Sequence, residues 1–230
     1  MKAVDNLSLK VFPGQILGFL GANGAGKTTT MEMIAGLLEP SEGRIFINEK
    51  PSDGPSGHLL GYMPEQPILY EQLTGIEFTR FIVALYTCTL SEENEERIQH
   101  YFEKFEMTPY ANRQIRHYSQ GMKRKISLIA VLSYDPPILM LDEPTNGLDP
   151  KGIRQINSLL RELADRSKTV FVSTHILPIA EKLCDRLAII DKGQLIAEGS
   201  LAELRQKSQM TTDLEEIFLN LTNPENAETL

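Results

Sequence analysis

The sequence predicts an α/β fold with a mostly parallel sheet, a small antiparallel β region and an inserted α-helical subdomain. Three observations predict it. A buried-strand run, Gln15 to Gly21, passes into a glycine-rich turn and then a helix, Lys27 to Leu37, with apolar spacing at Met31, Ile34, Ala35 and Leu38. Further on, the apolar run Ile138 to Asp142, the helix Lys151 to Asp165 and the strand Thr169 to Ser173 alternate in the way that implies parallel pairing through right-handed crossovers. Between them, from Thr74 to Ser133, the pattern changes from strands to helices.

The remaining elements follow in chain order. Gly43 to Asn48 alternates like a half-buried strand, Gly57 to Glu65 reads as another strand ending at Pro64, and the turn-rich run Pro51 to Gly57 separates them. In the helical region Ser91 is placed to cap a helix whose first turn carries Glu92, Glu93, Glu95 and Glu96, a charge bias suited to a helix N-terminus, with Ile98, Phe102 and Phe105 as its buried stripe. The acidic run itself is read as a solvated face. Ile138 to Asp142 is unbroken because both faces of a parallel sheet are covered. Arg186 to Ile190 and Gln194 to Ala197 flank Asp191-Lys192-Gly193, a hairpin signal. Ser200 with Glu203, and Thr212 with Glu215, form two capping boxes for short C-terminal helices.

Composition narrows the function. At 230 residues and 41% apolar content the chain can fill a sizeable core. Its 31 acidic and 23 basic residues give a formal charge of −8, which argues against broad nucleic-acid binding, a mode driven by phosphate neutralisation. Cys88 and Cys184 lie far apart without metal-ligand spacing, so no zinc site or disulfide framework is expected and a reducing cytoplasm fits. The longest nearly apolar stretch, Ile126 to Leu132, is far short of a membrane span, and the N-terminus lacks the apolar core of a secretory signal.

The segment Gly21-Ala22-Asn23-Gly24-Ala25-Gly26-Lys27-Thr28-Thr29 carries chemistry. Its glycines let backbone N–H groups turn inward around phosphate, Lys27 can reach the outer phosphates, and Thr28 can ligate Mg²⁺. The helix that follows directs its positive end at the same anion. ATP with Mg²⁺ is the expected ligand. Kinases, GTPases, motors and transport ATPases share this loop, so a second site is needed to choose a reaction. Leu139-Met-Leu-Asp142-Glu143-Pro144 supplies it: the apolar strand carries Asp142 to the sheet's C-terminal edge to hold Mg²⁺, and Glu143 is placed as general base for an attacking water.

With the phosphate loop, Tyr118-Ser119-Gln120-Gly121-Met122, Leu139 to Pro144, Gly147-Leu148-Asp149-Pro150 and Ser173-Thr174-His175 in this order, the chain resembles the nucleotide-binding subunit of ABC transporters over nearly its whole length. The resemblance implies a P-loop NTPase core at 1–73 and 134–200, a helical subdomain at 74–133 and a helical tail at 201–230. It implies that Gln66 touches Mg²⁺ and the attacking water and senses the membrane partner. Ser119, Gln120 and Gly121 match the signature segment, which acts on ATP held by the other subunit of a head-to-tail dimer. The form here, YSQGM, differs from the commoner LSGGQ and resembles cassettes of ABC-2 type exporters. Asp149 matches the loop linking the two nucleotide sites, and His175 the histidine that contacts the γ-phosphate. A separately encoded membrane permease is the implied partner, holding the subunit at the inner face of the cell membrane, with export as the direction.

Lys123-Arg124-Lys125 is read as salt-bridged and solvated, because successive helix positions point in different directions, with a phosphate or lipid contact as the alternative. His58, His100 and His117 are read as ordinary polar residues. The family carries a strand and an adenine-stacking aromatic upstream of the segment matching Ala3 to Leu9; this sequence begins at Met1-Lys2-Ala3, so weaker adenine contact is expected, and Phe12 is read as packing locally. The rival readings are a soluble ABC ATPase acting on ribosomes or DNA, and a non-hydrolysing nucleotide-binding regulator.

Overall fold

The computed structural model of the chain describes residues 2–52, 59–207 and 213–222. Its main sheet is built on β1, Ile16–Leu20, every residue of which is buried. β1 pairs in parallel with β6, Thr169–Thr174, on one side and β7, Arg186–Asp191, on the other. β5, Ile138–Asp142, pairs in parallel with β6, and β4, Leu60–Met63, with β5. β8, Gln194–Gly199, closes the far edge antiparallel to β7, so the six strands run β4-β5-β6-β1-β7-β8. The parallel strands present their C-terminal ends on one side of the sheet, which gathers residues 21–29, 64–66, 142–143 and 175 along a single edge.

The alternation of strand side chains divides the core. Ile16 belongs to the face covered by α5 (Pro150–Asp165) and the helical region, whereas Leu17 and Phe19 belong to the other face with Met31, Met140 and Phe171. Phe19 and Phe171 lie with ring centroids 5.3 Å apart. On the first face α5 contributes Ile156, Leu159, Leu160 and Leu163, an apolar stripe at helical spacing. Burying each such side chain contributes roughly 1.5–3 kcal/mol.

The helical region contains α2, Gly75–Thr87, α3, Glu92–Lys104, two 3₁₀ turns at Thr108–Tyr110 and Ile115–His117, and α4, Gln120–Ser133. Ser91 caps α3 as expected, and its partner in the reciprocal capping box is Asn94. α4 is buried continuously from Ile126 to Ser133, the signature of a helix enclosed on all sides, here by α2, α3 and the edge strand β4. Ser200 and Glu203 form the reciprocal box that starts α7, Leu201–Lys207. For α8, Leu214–Thr222, the cap in the described residues is Asp213, which accepts from the Glu216 N–H at 3.1 Å; Thr212 and His58 lie outside them.

Several boundaries differ from those the sequence suggests. α1 spans Lys27–Ile34 rather than reaching Leu37. Gly36 takes φ +73°, its N–H donates to Met33, and the Leu37 N–H donates to Glu32, a Schellman termination that leaves Leu37 and Leu38 exposed. The strand expected over 43–48 contracts to β2, Phe46–Ile47, which pairs antiparallel with β3, Lys50–Pro51. Asn48 and Glu49 both have positive φ and form the hairpin turn at 48–49, so Pro51, expected in the turn-rich run 51–57, ends a strand instead. This two-stranded piece is the small antiparallel region. Phe12 is 58% exposed.

The two cysteines differ sharply. Cys88 is exposed at the end of α2, whereas Cys184 packs where a Cβ on Gly18 would lie 2.7 Å from its Sγ. Burial, reinforced by Asp185, pushes the Cys184 thiol up to about 12. Iodoacetamide at pH 8 is therefore expected to modify Cys88 in the folded protein and Cys184 only after denaturation, because the thiolate is the reactive form. Peptide mass mapping before and after denaturation checks this, and equal labelling of both would contradict it.

Candidate functional site

The phosphate-type loop leaves the end of β1 and enters α1 through Gly26, whose φ of +103° is left-handed. A Cβ there would stand 2.4 Å from the Ala3 carbonyl, so only glycine fits between the loop and the N-terminal segment packed behind it. That segment is tied down where the Asp5 N–H donates to Gly193 at 2.8 Å and the Gly193 N–H donates to Ala25 at 2.9 Å. Ala22, Asn23 and Gly24 form the exposed crest of the loop, Ala25 is buried beneath it, and Thr29 stands in the first turn of α1. Lys27 is buried, and its ammonium donates to the carbonyls of Gly21 at 2.7 Å and Ala22 at 3.2 Å. The ammonium is thus held inside the curve of the loop.

Register brings the carboxylates to the loop. The Thr28 hydroxyl donates to Asp142 Oδ2 at 2.8 Å, across 114 residues of chain. Asp142 pairs with Ser173 across the parallel ladder, and the Ser173 hydroxyl donates to Asp142 Oδ1. The same Ser173 oxygen accepts the Glu143 N–H at 3.0 Å, and the Ser173 carbonyl accepts it at 3.2 Å. His175 Nδ1 lies 2.8 Å from Glu143 Oε1; the carboxylate accepts, so Nδ1 carries the proton. Glu143 is buried, has a left-handed φ of +49°, and keeps its second oxygen, Oε2, without a partner among the described residues. A buried carboxylate oxygen left unpaired costs stability, and such groups mark places shaped for something other than folding.

Thr28 and Asp142 offer two hard oxygen donors side by side, the donor type Mg²⁺ takes when phosphates and waters complete its shell. Among the described residues no group of three or more His, Cys, Asp and Glu could hold a metal. The Thr28 and Asp142 pair suits Mg²⁺ by its donor type.

Among the described residues, the other candidate site residues singled out in the sequence make no hydrogen bond to this cluster. Gln66 is exposed in the loop after β4. Ser119 caps α4 by accepting the Met122 N–H at 3.2 Å, with Gln120 exposed beside it. A Cβ on Gly121 would lie 3.4 Å from the Gly147 carbonyl, so this segment abuts the loop that leads to Asp149. Asp149 caps α5, accepting the Gly152 N–H at 2.9 Å. His100 and His117 are exposed away from the site.

The roles of two residues escaped sequence reasoning. Ser173 opens the motif Ser173-Thr174-His175, but its bonds to Asp142 and Glu143 are not read from it; a small polar residue opposite the strand-end Asp142 is the signal that finds them. Arg124 does not share the surface fate assigned to its basic run. Lys123 does pair at the surface, with Glu71 at 2.5 Å, and the Lys125 ammonium donates to the Phe105 carbonyl, but Arg124 is buried, on the same α4 face as Leu128 and Val131. Its guanidinium donates to the carbonyls of Pro64, Glu65 and Glu143.

Comparison with known proteins agrees with this arrangement. The family profile described as ABC transporter matches residues 4–146. EcsA, an ABC-type transporter ATP-binding protein of Bacillus subtilis, is 35% identical over 95% of this chain and 90% of its own length. Nod factor export ATP-binding protein I of Cupriavidus metallidurans is 38% identical over 94% of this chain and 71% of its own. Against an ABC transporter ATP-binding protein of Nostoc sp., 37% identical, the chain spans 61% of the relative's length. A solved ATP-binding subunit of an ABC transporter superposes with TM-score 0.90 at 34% identity, covering 96% of this chain and 93% of that one. A dimeric ATP-binding cassette in a post-hydrolysis state with ADP and Pi superposes with TM-score 0.79 at 26% identity, covering 86% and 90%.

Proposed function

This chain belongs to the ABC transporter ATP-binding proteins, and on that premise we propose that it binds and hydrolyses Mg-ATP as one half of a head-to-tail dimer that energises a membrane permease. The observation that carries hydrolysis is the Glu143 carboxylate: one oxygen rests on His175, and the other is buried and unpaired at the sheet edge where the phosphate loop ends. That oxygen is free to take a proton from an attacking water. His175 keeps the carboxylate oriented and, being half-exposed, can also meet the terminal phosphate.

Lys27 and the N–H groups at the start of α1 hold the phosphates of the substrate. Thr28, Asp142 and Gln66 are the residues that would hold Mg²⁺, whose charge, when bound, offsets the charge developing on the transferred phosphate. Ser119, Gln120 and Gly121 sit at the N-terminus of a fourteen-residue helix, suited to an anion, and in the head-to-tail dimer they serve the nucleotide held by the other subunit. The solved dimeric neighbour with ADP and Pi supports both the dimer and the reaction.

Among the described residues no helix is long and apolar enough to cross a membrane, so the membrane-spanning work falls to a partner. The exposed Gln66 loop beside Ile68, Tyr70 and Phe81 is where its cytoplasmic helix would dock. The match to a Nod factor export protein supports export as the direction. The test is phosphate release from Mg-ATP by the purified protein, together with identification of what it co-purifies with. Steady release and a membrane protein partner are expected. No release would favour a non-hydrolysing regulator, and ribosomes or DNA in place of a membrane protein would favour the soluble ABC ATPases.

A further inference from the structure

Arg124 is 6% exposed, yet among the described residues its guanidinium meets backbone carbonyls and no carboxylate oxygen. Nη1 donates to the carbonyls of Pro64, at 3.4 Å, and Glu65; Nη2 donates to the carbonyl of Glu143. Burying a cation is costly unless its donors are satisfied, and a planar fork can span two separate chain segments where an ammonium or a thioether cannot. Burial lowers the basicity of Arg124, while the charges of Glu65, Asp142 and Glu143 oppose that shift and hold the proton. Its Nε–H is buried without a partner, so the placement does not maximise hydrogen bonding for stability.

The two segments that the fork joins are the ones that matter. Pro64 and Glu65 immediately precede Gln66, and Glu143 carries the unpaired carboxylate oxygen. Glu143 occupies a left-handed conformation that a residue with a side chain adopts only when its surroundings impose it. Its N–H is held by Ser173, and its carbonyl by Arg124 together with the Asn146 N–H at 3.2 Å, so the backbone at 143 is fixed from both ends. Arg124 itself stands on α4, the helix whose N-terminus is Ser119 to Gly121.

We propose that Arg124 is a positioning residue for hydrolysis, a strut that ties the Gln66 loop and α4 to the Glu143 backbone, so that displacement of the loop moves the general base. This rests on the ATPase reading above. Lysine in its place keeps charge and much of the stem but gathers its donors at one point instead of spreading them over a planar fork; methionine keeps only the stem.

The experiment measures Mg-ATP turnover, equilibrium binding of a fluorescent ATP analogue and thermal unfolding for the unsubstituted chain, Arg124→Lys, Arg124→Met, Gln66→Ala and the Arg124→Lys/Gln66→Ala pair. Both Arg124 variants are expected to lose about 10- to 100-fold in kcat, the scale of a misplaced catalytic group, with KM and analogue affinity unchanged. The losses from Arg124→Lys and Gln66→Ala should not multiply, because both act through one connection. Turnover retained in both variants, a loss shared equally by kcat and analogue affinity, fully multiplicative losses, or failure of both variants to fold would each overturn the strut. Absence of turnover in the unsubstituted chain would instead overturn the ATPase reading, and the strut with it.

Discussion

Glu143→Gln should retain nucleotide and lose turnover, by about 10²- to 10⁴-fold, the usual contribution of a positioned general base. The reason lies in the geometry of one side chain. Glutamine fits the volume and keeps an oxygen to accept from His175 Nδ1, which stands 2.8 Å from Glu143 Oε1. What it loses is the basic oxygen that is otherwise buried and unpaired. Its amide N–H₂ would then occupy the place where a proton has to be received. The left-handed backbone at 143 and its N–H bond to Ser173 do not depend on the carboxylate, so folding and ATP affinity should survive. With hydrolysis stopped and binding intact, ATP-bound dimer accumulates. Phosphate release and size-exclusion chromatography with Mg-ATP check the two halves of the expectation; an active variant that stays monomeric would sink the mechanism.

Lys27→Ala should act at the opposite step, weakening affinity rather than chemistry. The ammonium is buried within the loop, donating to the Gly21 and Ala22 carbonyls at 2.7 and 3.2 Å, and is already aimed at the space the loop encloses. A hydrogen bond to a charged group contributes about 1.5–3 kcal/mol, so its loss should weaken ATP binding by about 10- to 150-fold. Titration of a fluorescent ATP analogue measures this directly, and an affinity within about twofold of the unsubstituted chain would remove Lys27 from the phosphate site. The two substitutions together separate binding from turnover: one variant holds nucleotide and does not spend it, the other holds it weakly.

Much of this was legible in one dimension because the chemistry is carried by contiguous segments. A glycine-rich turn between a buried strand and a helix reads as a phosphate loop, and the structure shows why Gly26 must be glycine: its φ is +103° and there is no room for a Cβ. An apolar strand ending in Asp142-Glu143 declares where the acids go, because parallel strands deliver their ends to one edge. The capping residues Ser91, Ser119 and Ser200 were readable for the same reason: their bonds close within three residues. Where local signals misled, the competing signal was also local. α1 stops at Ile34 because Gly36 offers a left-handed exit, and the strand expected over 43–48 is cut short because Asn48 and Glu49 take positive φ and turn the chain back.

Long-range placement was not legible. The bond from Thr28 to Asp142 spans 114 residues, the bond from Glu143 to Ser173 spans 30, and those from Arg124 reach back 60 and 59 residues and forward 19. A basic tripeptide reads as a solvated surface because charge is normally paid back by water; only packing reveals that the middle residue faces inward between two loops. The sequence alone determined the fold class, the phosphate loop and the acids at the strand end, since periodicity, turn chemistry and segment order are properties of neighbours. Tertiary structure alone decided which oxygen of Glu143 stays unpaired, that Ser173 clasps both acids, and that Arg124 joins the Gln66 loop to Glu143. Those depend on sheet register and on which side chains close packing forces together, and neither is written in the spacing of residues along the chain.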